Sequence, residues 1–519
     1  KGADYRIKLI WKTDENIEVK PFYRSEDLAS LDYLKNLGNL KEENSRPNGW
    51  NICQDIWLKE GPEEANRRIK VALEGDAQAI RIHLDEDRPI DPSTVARLMK
   101  DLSPARTAWI FKASLAADRL FESLEGWMKD KDENPASLKG CLGADPLGRM
   151  TITGIPVASM ENLGRLAKEV LKVSPGLKLI DLNGALIQDA GGNLVEELAF
   201  SLSMAVDYLD VLTQSGVEPE KALRLFHWSL ASGPNYFMEI AKLRAARILW
   251  SKLCEAYRVD PVRARVTLHS SSSMWNLTLY DPHTNILRGT TEAMSSVLGG
   301  ADMVSVLPFD YLFGKTTEFS ERIARNVQII LREESYFGRV ADPAAGSYYV
   351  ENLTGSLASG AWELFQETEQ KGGYRKAFES GWIREKVKAS REKKLERVLT
   401  GKQKIVGTNA YPNYQELVRK HLGDTEQKSV NETTVDTPAE IPLLGLHPFR
   451  PASLFEEIRL ETEGSAKRPR VLLFKYGNPG WSAARATFSG NFFACAGYEI
   501  IDQLPFKTVE EGIEIARKS

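Results

Sequence analysis

The sequence predicts an α/β fold in which an eightfold β/α barrel of the TIM type is followed by a linker and the beginning of a flavodoxin-like domain. Three observations lead to this prediction. Short apolar stretches alternate with amphipathic stretches about eight times within residues 51–373. Glycine and proline stand where these stretches begin or end, as they do at helix ends. After Gly372 and Gly373 the chain becomes strongly charged, and a long apolar stretch returns only near residue 470.

The predicted elements follow one another in a regular order. Predicted strands lie at 51–58, 77–84, 107–113, 137–143, 177–183, 225–229, 264–270 and 303–307. Predicted helices lie at 62–75, 92–102, 115–129, 159–173, 193–215, 235–257, 290–298, 316–335 and 355–371. Strands that alternate with helices at this pitch favour parallel pairing, here closed as a barrel, and a doubly wound open sheet is the alternative.

Two helices illustrate how the helix ends and helix faces are predicted. Asn193 and Glu196 have the spacing of a capping box, and Gly216 follows the last apolar position of that helix. In 316–335 the apolar residues recur at helical spacing, while arginines lie off the apolar stripe. One face of this helix is therefore expected to pack on the barrel and the other to face water.

The chain divides into four predicted regions. Residues 1–50 form an N-terminal arm, 51–373 the barrel, 374–468 a charged linker or wrapping segment, and 469–519 the beginning of a flavodoxin-like domain. The last region holds two strands around one helix-like stretch, which is too little for a five-stranded doubly wound sheet. We therefore expect the sequence to be truncated in this domain.

Composition excludes several classes of partner. The chain has 519 residues, of which 42% are hydrophobic and 27% charged, with a formal net charge of −4. These values are ordinary for a globular protein, and a slightly acidic chain without a basic patch is not expected to bind nucleic acid or an anionic membrane surface. No run of 18 apolar residues predicts a membrane span.

Cysteines and histidines predict neither a disulfide framework nor a metal site. The cysteines, which never form a CxxC pair, are Cys53, Cys141, Cys254 and Cys495. The histidines, which never have metal-ligand spacing, are His83, His227, His269, His283, His421 and His447. We expect a reducing, cytoplasmic location, and we expect His83 and His269, at the ends of predicted strands, to be hydrogen-bonded structural residues.

Four long strings resemble the barrel of the methylmalonyl-CoA mutase family. They are 235–250, 281–300, 320–334 and 342–353, and the resemblance covers nearly the whole chain. It implies an acyl-CoA mutase barrel followed by a cobalamin-binding type of flavodoxin-like domain. Enzymes of this family interconvert methylmalonyl-CoA and succinyl-CoA through radicals generated from adenosylcobalamin, which supplies the chemistry while the protein positions the substrate.

Within the barrel, the positions that carry chemistry in the family are changed. Catalytic chains read GYHMQEAG, whereas this chain reads GALIQDAG, with Ala185 and Leu186 at the tyrosine and histidine positions. Catalytic chains also read GGTQSLHTN, whereas this chain reads GGADMVSVL, with Asp302 and Ser305 at the two substrate-contact positions. The segment RPNGWNICQDI lacks the tyrosine-bearing stretch that precedes the first strand of catalytic chains. The resemblance therefore implies that no catalytic residue is present.

The cobalamin motif is changed in the same way. The family pattern D-x-H-x-x-G, whose histidine ligates cobalt, aligns with Pro479, Trp481 and Ala484. No cobalt ligand or cofactor-binding residue remains at these positions, and no cofactor is expected on this chain.

Intact scaffold strings beside four changed sites resemble the noncatalytic small-subunit branch of the family. This implies a heterodimer with a catalytic large subunit that carries adenosylcobalamin. Candidate contacts are Phe22 and Tyr23 in the arm and 446–459 with Phe449, Arg450 and Phe455, although 446–459 could equally pack on its own barrel. Two alternatives stay open: an active cobalamin-dependent mutase with another acyl-CoA substrate, and a stand-alone acyl-CoA-binding barrel.

Overall fold

The computed structural model describes residues 9–35, 48–84, 90–157, 160–422 and 445–518. Eight parallel strands close into a barrel in chain order, because the last strand pairs with both the seventh and the first. Helices surround the barrel, so the predicted β/α barrel is confirmed and the open-sheet alternative is wrong. The bounds of the barrel strands are β1 Asn51–Trp57, β2 Ala79–His83, β3 Ala108–Lys112, β4 Lys139–Ala144, β5 Leu177–Asn183, β6 Phe226–Ser232, β7 Thr267–Ser272 and β8 Met303–Ser305.

The helices of the barrel region alternate with these strands. Their bounds are α1 Pro62–Glu74, α2 Pro92–Leu98, α3 Ala117–Asp130, α4 Pro146–Thr153, α5 Glu161–Val173, α6 Ala185–Asp189, α7 Leu194–Gln214, α8 Pro219–Leu223, α9 Tyr236–Ala256, α10 Thr284–Leu298, α11 Glu318–Glu333 and α12 Tyr348–Gln370. After the barrel come α13 Gly373–Glu379, α14 Trp382–Leu399, α15 Ser453–Gly464, β9 Arg470–Leu472, α16 Pro479–Cys495, β10 Glu499–Ile501 and α17 Val509–Lys518.

Two helices begin earlier than their sequence pattern predicts. α10 begins at Thr284 rather than near residue 290, because Gly289 is tolerated inside the helix where α10 approaches the barrel closely. A Cβ atom at this position would lie 3.0 Å from the Val306 side chain. α12 begins at Tyr348 rather than 355, since Ser347 caps it by accepting a hydrogen bond from the Val350 amide.

Strand β4 needs glycine to fit between its neighbours. Gly140 and Gly143 have φ angles of +120° and +71°, and a Cβ atom at either would overlap the carbonyl oxygens of β3. The β4–β5 register shifts between Cys141 and Ala144. A bulge in the KGCLGA strand therefore lets the barrel close at this point.

A second layer of helices covers one side of the barrel. α12 packs against both α7 and α9 and buries Leu353, Leu357 and Phe365. Packing continues past the predicted barrel end at residue 373, since the hydroxyl groups of Tyr374 and Thr151 are 2.6 Å apart in the core.

The described part of the arm lies on its own barrel. Glu15 Oε1 accepts a hydrogen bond of 3.2 Å from the Leu194 amide at the start of α7. Tyr33 donates to the Glu351 carboxylate on α12, and the ring of Tyr23 contacts that of Tyr349 at a centroid distance of 5.4 Å.

The chain returns to the barrel after residue 445. The Leu446 amide donates to the Thr151 carbonyl at 2.7 Å, and the Phe449 amide donates to the Asp189 carbonyl at 2.8 Å. Of the two alternatives for 446–459, the one that occurs here is packing on its own barrel. The polar stretch 424–440, predicted as a linker, lies outside the described residues.

The final 50 described residues form a small α/β unit. β9 and β10 pair in parallel, with α16 connecting them and α17 following. This is the strand–helix–strand order predicted for the beginning of a flavodoxin-like domain. Across all described ranges, no helix combines the length and hydrophobicity that crossing a bilayer requires.

Candidate functional site

The inward side chains of the barrel change character halfway along the strands. Near the amino-terminal ends they form a buried cluster of small and apolar residues, Cys53, Ala79, Ile110, Cys141 and Met303. Near the carboxyl-terminal ends they are polar, and we call this set the lumen network: Asp55, Arg81, His83, Lys112, Asp181, His227, Ser229, His269, Ser271 and Ser305. β/α barrels carry active sites at their carboxyl-terminal ends, so the lumen network is the candidate site.

Strand geometry brings these residues together. Alternate residues of a strand face the same side, so Asp55 and Trp57 both face the lumen. The β1–β2 register places Arg81 beside Asp55 and His83 beside Trp57. The β2–β3 register then places Lys112 beside His83.

Asp55 holds two basic side chains. Arg81 donates through Nε and Nη2 to the two carboxylate oxygens, the second at 2.9 Å, and His83 Nε2 lies 2.6 Å from Asp55 Oδ1. Burial alone would raise the pKa of Asp55, but the Arg81 charge and the His83 hydrogen bond hold it well below its usual range. Arg81 also donates to Ser271 Oγ at 2.8 Å. This carboxylate is therefore ionised and fully engaged.

A second ion pair crosses the lumen between β3 and β5. Lys112 donates to Asp181, and Ser229 Oγ donates to the other Asp181 oxygen at 2.6 Å. Asp181 is 1% exposed. Burial would raise its pKa, but the charge of Lys112 together with the hydrogen bonds from Lys112 and Ser229 lowers it. Lys112 and Asp181 thus neutralise one another inside the barrel.

Two histidines and a serine form the third part of the lumen network. His227 Nε2 lies 3.3 Å from His269 Nδ1, and His269 Nε2 lies 2.9 Å from Ser305 Oγ. Burial lowers the pKa of His227 to about 4 and that of His269 well below its ordinary value. Both rings are therefore neutral at physiological pH. His269 lies inside β7 rather than at its end as predicted, because β7 continues to Ser272.

Aromatic rings lie over the carboxyl-terminal end of the network. The ring of Trp57 stacks on that of His83 at a centroid distance of 4.7 Å and an angle of 11°. The ring of Tyr311 also contacts that of Trp57, at a centroid distance of 5.6 Å. Deeper in the barrel, the Cys53 thiol is a poor nucleophile, since burial raises its pKa to about 12.

A separate buried ion cluster supports the strand ends from behind. Lys242 Nζ lies 2.7 Å from carboxylate oxygens of both Glu197 and Glu239, and it donates to Gln188 Oε1 at 2.8 Å. Lys242 is fully buried. Burial would lower its pKa, but the two carboxylates raise it above the ordinary value. Gln188, in the GALIQDAG string, is thus held by protein groups.

The structure places the changed family positions in different parts of the barrel. Ala185 and Leu186 begin α6, directly after β5, and both are half-buried. Ser305 lies in the lumen network, where it contacts His269. Asp302, by contrast, precedes β8 at the amino-terminal end and pairs with Arg247 and Arg265, both at 2.8 Å.

The positions of the cobalamin motif lie in the first two turns of α16. Asn478 caps this helix by accepting hydrogen bonds from the amides of Gly480 and Trp481. Pro479, Trp481 and Ala484 are all exposed, Trp481 at 73%. The sequence from 448 to 519 contains no histidine. These residues do not fit a cobalamin whose cobalt is ligated by a histidine.

Among the described residues, no group of three or more histidine, cysteine, aspartate or glutamate side chains has the geometry to hold a metal ion. Sequence reasoning missed Asp55, Arg81, Lys112 and Asp181. The sequence does hold a signal, because each is a charged residue in a strand whose other residues are mostly apolar.

Sequence comparisons with known proteins identify the family of this chain. A sequence model of the methylmalonyl-CoA mutase family matches residues 90–441. The chain is 36% identical to the methylmalonyl-CoA mutase small subunit of Porphyromonas gingivalis over 99% of this chain and 83% of the relative. It is 31% identical to the small subunit of Streptomyces virginiae, over 94% and 77% of the two chains. It is 30% identical to the methylmalonyl-CoA mutase of Rhizobium meliloti, over 78% of this chain and 61% of the relative. The family model and these relatives match this chain over most of its length. This chain therefore belongs to the methylmalonyl-CoA mutase family.

Proposed function

We propose that this chain is the noncatalytic small subunit of an adenosylcobalamin-dependent methylmalonyl-CoA mutase, and that its partner is the catalytic large subunit. The observation that carries the proposal is the lumen network. Charged side chains of this chain occupy the carboxyl-terminal half of the barrel and satisfy one another there.

Opening this lumen for an acyl-CoA would separate buried ion pairs. Asp55 is 5% exposed and Asp181 1% exposed, and each is bonded to a basic side chain. A buried charge that loses its partner is strongly unfavourable, by about 3–5 kcal/mol. The barrel interior therefore favours a closed, structural role.

The groups that polarise a thioester are also missing from α6. Ala185 and Leu186 carry no hydrogen-bond donor on their side chains. Electrostatic stabilisation of the migrating acyl group needs a donor aimed at its carbonyl oxygen. Gln188, the polar residue of the same string, is held by Lys242 and Glu239.

The cofactor side supports the same conclusion. Trp481 and Ala484 offer no ligand for cobalt, and Pro479 offers no carboxylate to orient one. We therefore propose that adenosylcobalamin is bound by the large subunit alone.

The partner follows from the names of relatives. Proteins that share 36% and 31% identity with this chain are small subunits, and a small subunit pairs with a large one. Permanent interfaces of this kind generally bury more than about 2,000 Å² in total. Phe22 is a candidate contact, because it is 57% exposed. Phe449 packs on its own barrel at 6.0 Å from Trp275, and Arg450 pairs with Glu456.

The test uses the full chain alone and with the large subunit. We expect the pair to co-purify as a heterodimer, and we expect the single chain to show neither methylmalonyl-CoA turnover nor a spectral change of added adenosylcobalamin. Phe22→Ala should weaken pairing, whereas Phe449→Ala, the control, should change the stability of the barrel instead. Turnover or cobalamin binding by the single chain would favour an active mutase with another substrate. Two separate monomers at micromolar concentration would favour a stand-alone barrel.

A single restored residue should not create activity. Trp481→His returns one possible cobalt ligand to a chain that lacks the other members of both sites. Residues that act as a unit are strongly non-additive, so we expect turnover to remain undetectable. Appreciable turnover by this variant would contradict the proposal.

A further inference from the structure

Aromatic side chains from three parts of the chain form a cluster on the surface beside the start of α9. The ring of Tyr349 contacts those of Tyr23 and Phe237, each at a centroid distance of 5.4 Å, and Tyr236 contacts Phe237 at 5.3 Å. Two further aromatic residues directly precede Tyr23 and Tyr349 in the chain. We call the whole set the aromatic patch: Phe22, Tyr23, Tyr236, Phe237, Tyr348 and Tyr349.

Three rings of the aromatic patch are open to solvent. Phe22 is 57% exposed, Phe237 46% and Tyr348 41%. Complete burial of an aromatic side chain removes about 150–250 Å² from water, so a partner can cover about 300 Å² more on these three rings. Aromatic residues are enriched at the centres of protein–protein interfaces, where the energetically important residues cluster. The composition and exposure of the aromatic patch therefore indicate a contact with another protein.

A groove continues from the aromatic patch along α12. Its cavity has a volume of about 790 Å³ and lies between the arm, α9 and α12. Asn352 lines the groove and donates a hydrogen bond to the Tyr348 carbonyl at 2.8 Å, so the patch and the groove adjoin. On α12 the wall consists of small side chains, including those of Gly355, Ser356 and Ser359. The groove can therefore receive side chains of a protein that covers the rings.

The charges beside the aromatic patch favour a partner with a carboxylate. Lys20 lies 6.0 Å from the centre of the Tyr23 ring, and Asp27 neutralises it at 2.6 Å. Arg24 lies over the Phe22 ring at 5.2 Å and forms no ion pair with the residues that the structure describes. A symmetric contact between two copies would bring the same uncompensated charge from both sides, whereas a different protein can supply the opposite charge.

We propose that the aromatic patch and its groove bind the catalytic large subunit, through an apolar surface that carries a carboxylate opposite Arg24. This proposal rests on the proposed function, which supplies the partner. Specific interfaces bury about 800 Å² on each protein, which is more than Phe22 alone can provide. The three exposed rings and the adjoining groove provide the centre of such an interface.

The main test measures binding of the full chain to the immobilised large subunit by surface plasmon resonance. Phe237→Ala and Tyr348→Ala each remove a central ring, and we expect each to raise the dissociation rate at least about tenfold. Phe319→Ala is the matched control, because Phe319 is 56% exposed but lies on α11, outside the aromatic patch. It should leave the dissociation rate unchanged. All three variants should melt near the temperature of the wild-type chain, since their rings are on the surface.

The groove and the charge are tested in the same experiment. Ser359→Trp fills the groove from an exposed position and should also speed dissociation. Arg24→Glu should slow association at low ionic strength, and added salt should reduce the difference from wild type, because salt screens exposed charges. An association rate of Arg24→Glu equal to that of wild type at low salt would contradict the predicted carboxylate on the partner.

The outcomes separate this inference from the proposed function. If the wild-type chain does not bind the large subunit, both are wrong. If the wild-type chain binds and the Phe237, Tyr348 and Ser359 variants bind equally well, only the docking surface is wrong. Sedimentation of the single chain covers the remaining case: a self-association that Phe237→Ala removes, with binding to the large subunit intact, would make the aromatic patch a contact between copies and overturn the inference. In the complex, we expect slower amide hydrogen exchange in 236–240 and 348–352.

Discussion

In the amino-terminal half of the barrel lumen the inward side chains are small and apolar, represented by Ile110 and Cys141. In the carboxyl-terminal half they are ion pairs, represented by Asp55 with Arg81 and Asp181 with Lys112. Both halves are buried and both fill the barrel. Apolar side chains fill the amino-terminal half, and paired charges fill the carboxyl-terminal half. The same operation, shortening one side chain, should therefore have different consequences in the two halves.

The largest expected effect is the loss of one partner in the charged half. Arg81→Met leaves Asp55 buried with His83 as its remaining basic contact, so we expect the free energy of unfolding to fall by about 4 kcal/mol. Urea unfolding followed by circular dichroism measures this. The double variant Asp55→Leu/Arg81→Met removes both charges and should recover most of the loss. If the double variant is as unstable as the single one, pairing is not what stabilises this half.

Shortening a side chain in the apolar half should cost less and should not depend on a partner. Ile110→Ala leaves a cavity, and we expect a loss of about 3 kcal/mol in the same urea experiment. The more conservative variant Ile110→Val should lose only about 1 kcal/mol. A loss for Ile110→Ala that exceeds that of Arg81→Met would reverse the comparison between the halves.

The charged half should also make stability depend on pH. Folded His227 has a pKa of about 4, below the ordinary value of about 6.5. Between these values the unfolded chain binds more protons, so the free energy of unfolding falls as pH falls from 6.5 toward 4. The slope should be at most about 1.4 kcal/mol per pH unit for this residue. Parallel urea titrations of wild type and His227→Gln measure it, and identical slopes would contradict the assignment of a neutral His227.

The smallest expected effect concerns the polar contact of Ser305. Ser305→Ala removes the 2.9 Å contact with His269 Nε2, and we expect a loss of about 1 kcal/mol. Ser229→Ala is a matched comparison, because its hydroxyl group bonds a charged carboxylate at 2.6 Å. It should lose more, since hydrogen bonds to charged groups are stronger.

Much of the scaffold could be predicted from the sequence because each element has a local signal. Alternating apolar stretches located all eight strands, and Asn193 with Glu196 located the start of α7. Errors arose where tertiary contacts override local preference. Gly289 lies inside α10 because the helix approaches Val306, directly after β8, which no helix pattern would show.

The lumen network could be predicted only in part. Polar residues in apolar strands, such as Asp181 and His227, indicate that something inside the barrel must satisfy them. Their partners could not be predicted, since Lys112 lies 69 residues from Asp181 in the sequence, and only the barrel register brings the two together. The alignment of Asp302 with a substrate-contact position likewise gave no indication that it lies at the amino-terminal end beside Arg247.

The return of the chain to the barrel after residue 445 has a consequence for how the molecule comes apart. Backbone hydrogen bonds to Thr151 and Asp189 and the Arg450–Glu456 pair beside Leu277 hold this segment on the barrel. A chain cut between residues 422 and 445 should therefore behave as a split protein whose two fragments stay associated. Expressed separately, the fragments should find one another and reassemble, as complementing halves of other proteins do.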